Sequence, residues 1–295
     1  MEKGRLKGSM PPKVMDAVKL SEEYLAKRGI ESPRLSAEYL LAKARGCTRM
    51  DLYLDFDTVL DQRELKIYRA DLLKRSKHFP LQYILGETEF FSIPFRVREG
   101  VFIPRPETEL LIERTEEMLG DRSSVRFLEF GLGTGVISGT LARRHEGWRG
   151  VGFDVSRRAV ELARENFDLL GVSGRIQPFV ASTFDSLDER HKFDLLISNP
   201  PYIPTDEIDS LQREVSCYEN RTALDGGNEG KDFYPVLINA GLSHLNNGGV
   251  LAVEIGNNLA AYVESVCEMS GYERIETAKD FNGLDRVVTA VYAGS

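Results

Sequence analysis

Histidine, cysteine and tryptophan are scarce in this 295-residue chain, and long apolar runs are missing. The four histidines, His78, His145, His191 and His244, stand far apart without ligand spacing, and no CxxC pair occurs, so no metal site is expected. The three cysteines, Cys47, Cys217 and Cys267, are odd in number and widely separated. That argues against a disulfide framework and fits a reducing, cytoplasmic setting. No apolar run of about 18 residues offers a membrane span. The opening MEKGRLKGSM has no apolar signal core, so nothing points to export. Internal repeats and low-complexity stretches are absent as well.

What is present reads as a globular protein with 42% hydrophobic and 28% charged residues. Its length suits one large domain and a smaller one. The net charge of −8 is unevenly spread: residues 1–90 carry 17 Lys and Arg against 14 Asp and Glu, and the remaining 205 carry 21 against 32. So acidic a second part is a poor candidate for gripping duplex nucleic acid through its phosphates, and no stable nucleic-acid partner is expected.

Residues 1–12, ending in Pro11 and Pro12, read as a flexible tail. From 13 to 80 the pattern is helical. Val14, Ala17, Val18, Tyr24 and Leu25 share one face up to Gly29. Ser32 and Pro33 read as N-cap and first helical position of a second helix that stops at Gly46. A short segment at 51–56 and a helix over about 61–77 complete a bundle. Its basic residues, among them Arg63, Lys66 and Arg69, are most simply a solvated face, with docking of an acidic partner or RNA as the alternative.

Residues 81–106 change texture. FFSIPFRV and VFIP, split by Arg98, Glu99 and Gly100, predict a β-hairpin linker. PRPETE follows, where Thr108 can cap a helix over 110–119, and Glu107 and Glu109 suit its positive end. Capping leaves Arg105, fixed between Pro104 and Pro106, unexplained. Over 107–295 strands and helices alternate, the pattern of an α/β domain with a parallel sheet.

Two stretches of that domain carry chemistry. Strand 125–130 ends in Gly131, Gly133 and Gly135 and runs into a helix, which brings backbone N–H groups beside a ligand. The next strand ends in Asp154, able to accept from both hydroxyls of a ribose. Nicotinamide enzymes use the same two devices. The GxGxG spacing, in place of GxGxxG, suits S-adenosylmethionine better, and Glu129 before the glycines can face the amino-acid end of a cationic sulfonium. The second stretch, FDLLISNPPY, is a buried strand stopped by Pro200 and Pro201. It leaves Asn199 and Tyr202 at the sheet edge where α/β proteins bind ligands. An amide or exocyclic amine nitrogen is a weak nucleophile because its lone pair is delocalised. The Asn199 oxygen and the carbonyl of Pro200 can accept its two N–H bonds, and Tyr202 offers a flat face.

FLEFGLGTG, GFDVS, ISNPPYIP, VFIPRPETEL and TALDGGNEGKDFY together resemble the HemK/PrmC family, methyltransferases acting on the GGQ glutamine of bacterial class-1 peptide release factors. The resemblance runs from about Leu81 to the C-terminus, and the N-terminal helices suit the family's substrate-binding bundle. It implies a class I S-adenosylmethionine-dependent methyltransferase fold, a Rossmann-like seven-stranded sheet, and a release factor as protein partner; a monomer is expected. By the same resemblance Glu129, Gly131, Leu132, Gly133, Thr134, Gly135, Asp154, Thr183 and Asn199 line the cofactor site. Asn199, Pro200, Pro201 and Tyr202, with Arg105, would hold the substrate glutamine. The chain departs from the family at Ser182 and Thr183, where an acidic residue and a bulky neighbour are usual in the adenine loop. It departs again at Asn220, which replaces the proline of an EP dipeptide after Glu219.

Overall fold

The structure, a computed structural model, describes residues 11–188 and 190–294. Residues 1–10 of the expected tail lie outside them. Pro12 is anchored, its carbonyl accepting from the Leu60 backbone at 3.1 Å, and Lys13 forms an isolated bridge with Val59.

The chain divides into two compact units, 1–86 and 87–295. The first holds α1 (Val14–Ala26), α2 (Pro33–Arg45), α3 (Arg49–Leu54), α4 (Gln62–Arg75) and α5 (Leu81–Leu85). Its core gathers Val18, Leu25, Leu40, Leu41, Leu52 and Leu72. Ile84 of α5 is buried in the same core, so the helical unit extends past residue 80. Ser32 does precede α2, but in the left-handed region at φ +47° and without a side-chain cap. The capping boxes in this unit are those of Thr48 with Asp51 and Asp61 with Glu64.

The second unit opens with a hairpin, β1 (Glu87–Phe90) and β2 (Ile93–Arg96). The turn falls at Phe91 and Ser92, both at positive φ, and not at the expected Arg98 to Gly100. Held by Glu109, whose carboxylate accepts from the Phe91 backbone at 2.6 Å, the two residues make the tight connection without glycine. Phe90 and Phe95 are fully buried in the main core, so the hairpin is part of this unit and not a free linker. The VFIP stretch forms no strand.

There follow α6 (Thr108–Leu119), β3 (Arg126–Phe130), α7 (Val136–Arg144), β4 (Arg149–Asp154), α8 (Arg157–Leu170), β5 (Ile176–Val180) and β6 (Phe193–Ser198). After α9 (Arg213–Tyr218) come α10 (Phe233–His244), β7 (Leu245–Glu254), α11 (Ala260–Met269), β8 (Tyr272–Lys279) and β9 (Asp285–Tyr292). The seven-stranded sheet runs β5-β4-β3-β6-β7-β9-β8, parallel except where β9 pairs with β7 and β8.

Period-two alternation explains the two cores. Phe127, Leu195, Ile197, Val250 and Ala252 face the residues of α6, α7 and α8, while Leu128, Leu196, Leu251 and Val253 face those of α10 and α11. From β3 the chain builds outward through β4 to β5, then returns so that β6 lies on the other side of β3. The crevice beyond the ends of β3 and β6 is therefore the topological switch point, where open α/β sheets bind ligands.

Candidate active site

Phe130 pairs with Ser198 across β3 and β6, so the glycine turn and the Asn199 segment leave the sheet side by side. They border one cavity of about 470 Å³, within the range of small-molecule sites.

Gly131, Gly133 and Gly135 all adopt positive φ. A Cβ on Gly131 or Gly133 would meet nothing closer than 3.8 Å, so the turn opens onto free space, and its nearest neighbour at Gly131 is the backbone oxygen of Asn199. Gly135 is different: a Cβ there would lie 2.8 Å from the Phe167 ring, so its absence lets α7 start against α8. The N–H groups of Gly131 and Leu132 both donate to the Phe153 carbonyl. Thr134 is buried, its carbonyl accepting from Asn166 Nδ2 at 2.9 Å.

Asp154 ends β4 at the rim of the cavity. One carboxylate oxygen accepts from the Gly133 backbone at 2.9 Å and the other from Ser156 at 2.8 Å. Each keeps a second lone pair for a ligand hydroxyl. Burial raises its pKa, and the two backbone donors oppose the shift. Glu129 borders the cavity but is 1% exposed, and it accepts from both the backbone and the hydroxyl of Ser138. Burial pushes its pKa up to about 8.

Past β6, Asn199, Pro200, Pro201 and Tyr202 all line the cavity. Asn199 Nδ2 donates to Thr108 Oγ1 at 3.0 Å, and the Tyr202 hydroxyl donates to Glu254 Oε1 at 2.9 Å. Thr108 in turn donates to Glu254 Oε2 at 2.7 Å, an interaction that replaces the helix cap expected of it. Arg105 lines the cavity, pairs with the buried Glu219 and lies 5.0 Å from the centre of the Phe102 ring. Leu211, Val215, Asn220 and Thr222 close the cavity on that side. Thr183 does not line it: its hydroxyl donates to Asp185, and Ala181 and Ser182 take the place at the wall. Phe184 stacks on Phe130, with ring centres 5.5 Å apart.

Sequence reasoning did not single out Glu254, Asn166, Glu219's pairing or the 211–222 wall as parts of the site. Glu254 left a trace as one acidic residue inside the apolar run VLAVEIG, and Glu219, Asn220 and Thr222 lie beside or within the TALDGGNEGKDFY stretch.

A doubly wound sheet that ends in an antiparallel pair and opens its ligand crevice between its first and fourth parallel strands defines a class I methyltransferase. Solved structures share that fold. A methyltransferase from Pyrococcus furiosus superposes with a TM-score of 0.52, covering 70% of this chain and 91% of that one at 19% identity. A human methyltransferase 10 domain containing protein also gives 0.52, covering 68% and 89% at 15% identity.

Sequence narrows the class. Family profiles described as PrmC N-terminal domain, methyltransferase small domain and Eco57I restriction-modification methylase match residues 16–86, 95–215 and 170–285. The release factor glutamine methyltransferase of Geobacter sulfurreducens is 42% identical, covering 90% of this chain and 92% of its own. That of Chlorobaculum tepidum is 41% identical, covering 92% and 95%. The chain belongs to the release factor glutamine methyltransferase family.

Proposed function

We propose that this protein transfers a methyl group from S-adenosylmethionine to the N5 side-chain nitrogen of the GGQ-motif glutamine of class-1 peptide chain release factors. It would do so in the cytoplasm, as a monomer and without a metal. The observation that carries the reading is the single cavity bordered by both the glycine turn and Asn199, which leave the sheet from the paired residues Phe130 and Ser198.

The residues present fit the cofactor. The open space over Gly131 and Gly133 suits its methionine part, and the free lone pairs of Asp154 suit its ribose hydroxyls. When bound, it supplies an electrophilic methyl carbon on a positively charged sulfur. Leu132 and Thr134 shape the turn around it, while Glu129 braces the start of α7 through Ser138.

The substrate's carboxamide nitrogen has its lone pair delocalised into the carbonyl. Asn199 Oδ1 and the Pro200 carbonyl would accept its two N–H bonds, leaving that lone pair directed across the cavity. Pro201 holds the turn, and the Tyr202 ring lies along the planar group. Positioning and exclusion of water supply most of the rate. No strong base is needed, because methylation makes the nitrogen acidic enough to shed its proton. Arg105, held by Glu219, would contact the substrate main chain at the rim.

The test is incubation with methyl-labelled cofactor and a purified release factor, followed by mass spectrometry to place the label. One added methyl on the GGQ glutamine, absent from a substrate with that glutamine changed to alanine, is the expected result. A parallel arm uses an adenine-containing oligonucleotide, because the 170–285 match shares its name with a restriction-modification methylase. Label in the oligonucleotide and not in the protein would overturn the proposal.

A further inference from the structure

One buried carboxylate ties together two parts of the site. Glu254, the last residue of β7, is 1% exposed, and both of its oxygens are engaged: Oε1 by the Tyr202 hydroxyl at 2.9 Å, Oε2 by the Thr108 hydroxyl at 2.7 Å. Thr108 is itself 2% exposed and receives the Asn199 amide at 3.0 Å. PRPETE, NPPY and the end of β7 thus meet in one chain of hydrogen bonds.

The chain has a direction. In its ionised form Glu254 only accepts, so the hydroxyls on either side of it then donate. Thr108 has a single hydrogen, and once that is given to Glu254 its oxygen can only accept. The neighbour that meets it must then be the NH₂ end of the Asn199 carboxamide, which turns Oδ1 the other way. A reversed amide would set two lone-pair carriers against each other at 3.0 Å. Burial pushes the pKa of Glu254 up, with Glu107 adding to it, while Thr108, Tyr202 and the Arg286 guanidinium act against the shift.

We infer that Glu254 and Thr108 are positioning residues that fix which end of the Asn199 carboxamide faces the substrate, while the same carboxylate anchors the Tyr202 ring. The inference rests on the proposed glutamine transfer and deepens it: Glu254 stands behind Thr108, which lines the cavity, and together they decide whether Asn199 presents an acceptor or a donor. PRPETE then has a task at the site besides holding Arg105, since its threonine supplies the acceptor that orients the amide.

Four variants of the full chain test this. Thr108→Val keeps the shape and removes the hydroxyl. Glu254→Gln keeps the shape and turns an acceptor into a donor, which reverses the chain where its NH₂ meets Thr108. Each is expected to lower kcat by about 10- to 100-fold while leaving the cofactor Kd within about twofold. Thr108→Ser is expected to stay within about threefold of wild type, because it keeps the hydroxyl. The Thr108→Val, Glu254→Gln double variant is expected to be no worse than the poorer single one, since both break the same chain. A Thr108→Val enzyme with wild-type kcat, a Thr108→Ser enzyme as poor as Thr108→Val, or multiplying losses in the double variant would overturn the inference.

If the wild-type enzyme methylates no glutamine, the proposed function fails by itself, and the positioning is read without turnover. The side-chain amide resonances of Asn199 in ¹⁵N-labelled protein should move in Thr108→Val and stay in Thr108→Ser. Unmoved resonances in both would refute the positioning.

Discussion

Glu129 and Asp154 leave adjacent strands, and burial raises the pKa of both, but their remaining partners separate their tasks. Asp154 has lone pairs to spare on both oxygens at the rim of the cavity, whereas one oxygen of Glu129, Oε2, takes both Ser138 donors and braces the start of α7. Asp154→Ala is therefore expected to raise the cofactor Kd by ~10- to 100-fold. Asn199→Ala should instead lower kcat by ~100-fold or more with the cofactor Kd little changed, and calorimetric titration beside turnover separates the two outcomes. For Glu129 the sign is fixed by linkage: with a folded pKa of about 8 against an unfolded value near 4.5, the folded state holds the proton longer. Stability is then lost as pH rises between those values, by up to ~1.4 kcal/mol per pH unit. Glu129→Gln, which keeps an oxygen for Ser138, is expected to flatten that part of the profile in melting curves recorded from pH 5 to 9. Asp154 and the Asn-Pro-Pro-Tyr run were legible in the sequence because each ends an apolar strand. Thr108 and Glu254 were not, since their partnership spans 146 residues and nothing local announces it.

At the scale of elements, the start of α7 depends on a residue with no side chain. Gly135 sits at φ +77°, and an added Cβ would press into the Phe167 ring and approach Ala163 at 3.0 Å. Gly135→Ala is expected to destabilise the protein by about 2–4 kcal/mol through the left-handed backbone and the overpacked contact together. Urea unfolding of the full chain measures it. Strand positions in this domain followed from alternation, and the start of α8 is fixed by Ser156, whose hydroxyl accepts from the Ala159 backbone. The hairpin turn was displaced because Phe91 and Ser92 take left-handed conformations that their residue types do not advertise, whereas Gly100 advertises a turn that ends no strand. Their compensation comes from Glu109, a residue whose sequence position had suggested only helix-end electrostatics. The same limit holds for Asn166, which links the Arg96 backbone to the Thr134 carbonyl from the middle of α8.

For the whole molecule, the sequence divided the chain by texture, while the structure divides it by core: Ile84 belongs with the helices, Phe90 and Phe95 with the sheet. The sheet order was not readable from the strands themselves, because the reversal that puts β6 beside β3 depends on how the crossovers pack. That reversal has a further consequence. The two lips of the crevice are rooted at the two ends of one rung of the ladder, Phe130 and Ser198, so the span between donor and acceptor is dictated by peptide geometry and cannot be stretched by swinging a side chain. A guest side chain must bring its own reach. In the proposed reaction asparagine, one methylene short of glutamine, would stop before the methyl carbon, and a release factor carrying that exchange in its GGQ motif should then emerge with its mass unaltered.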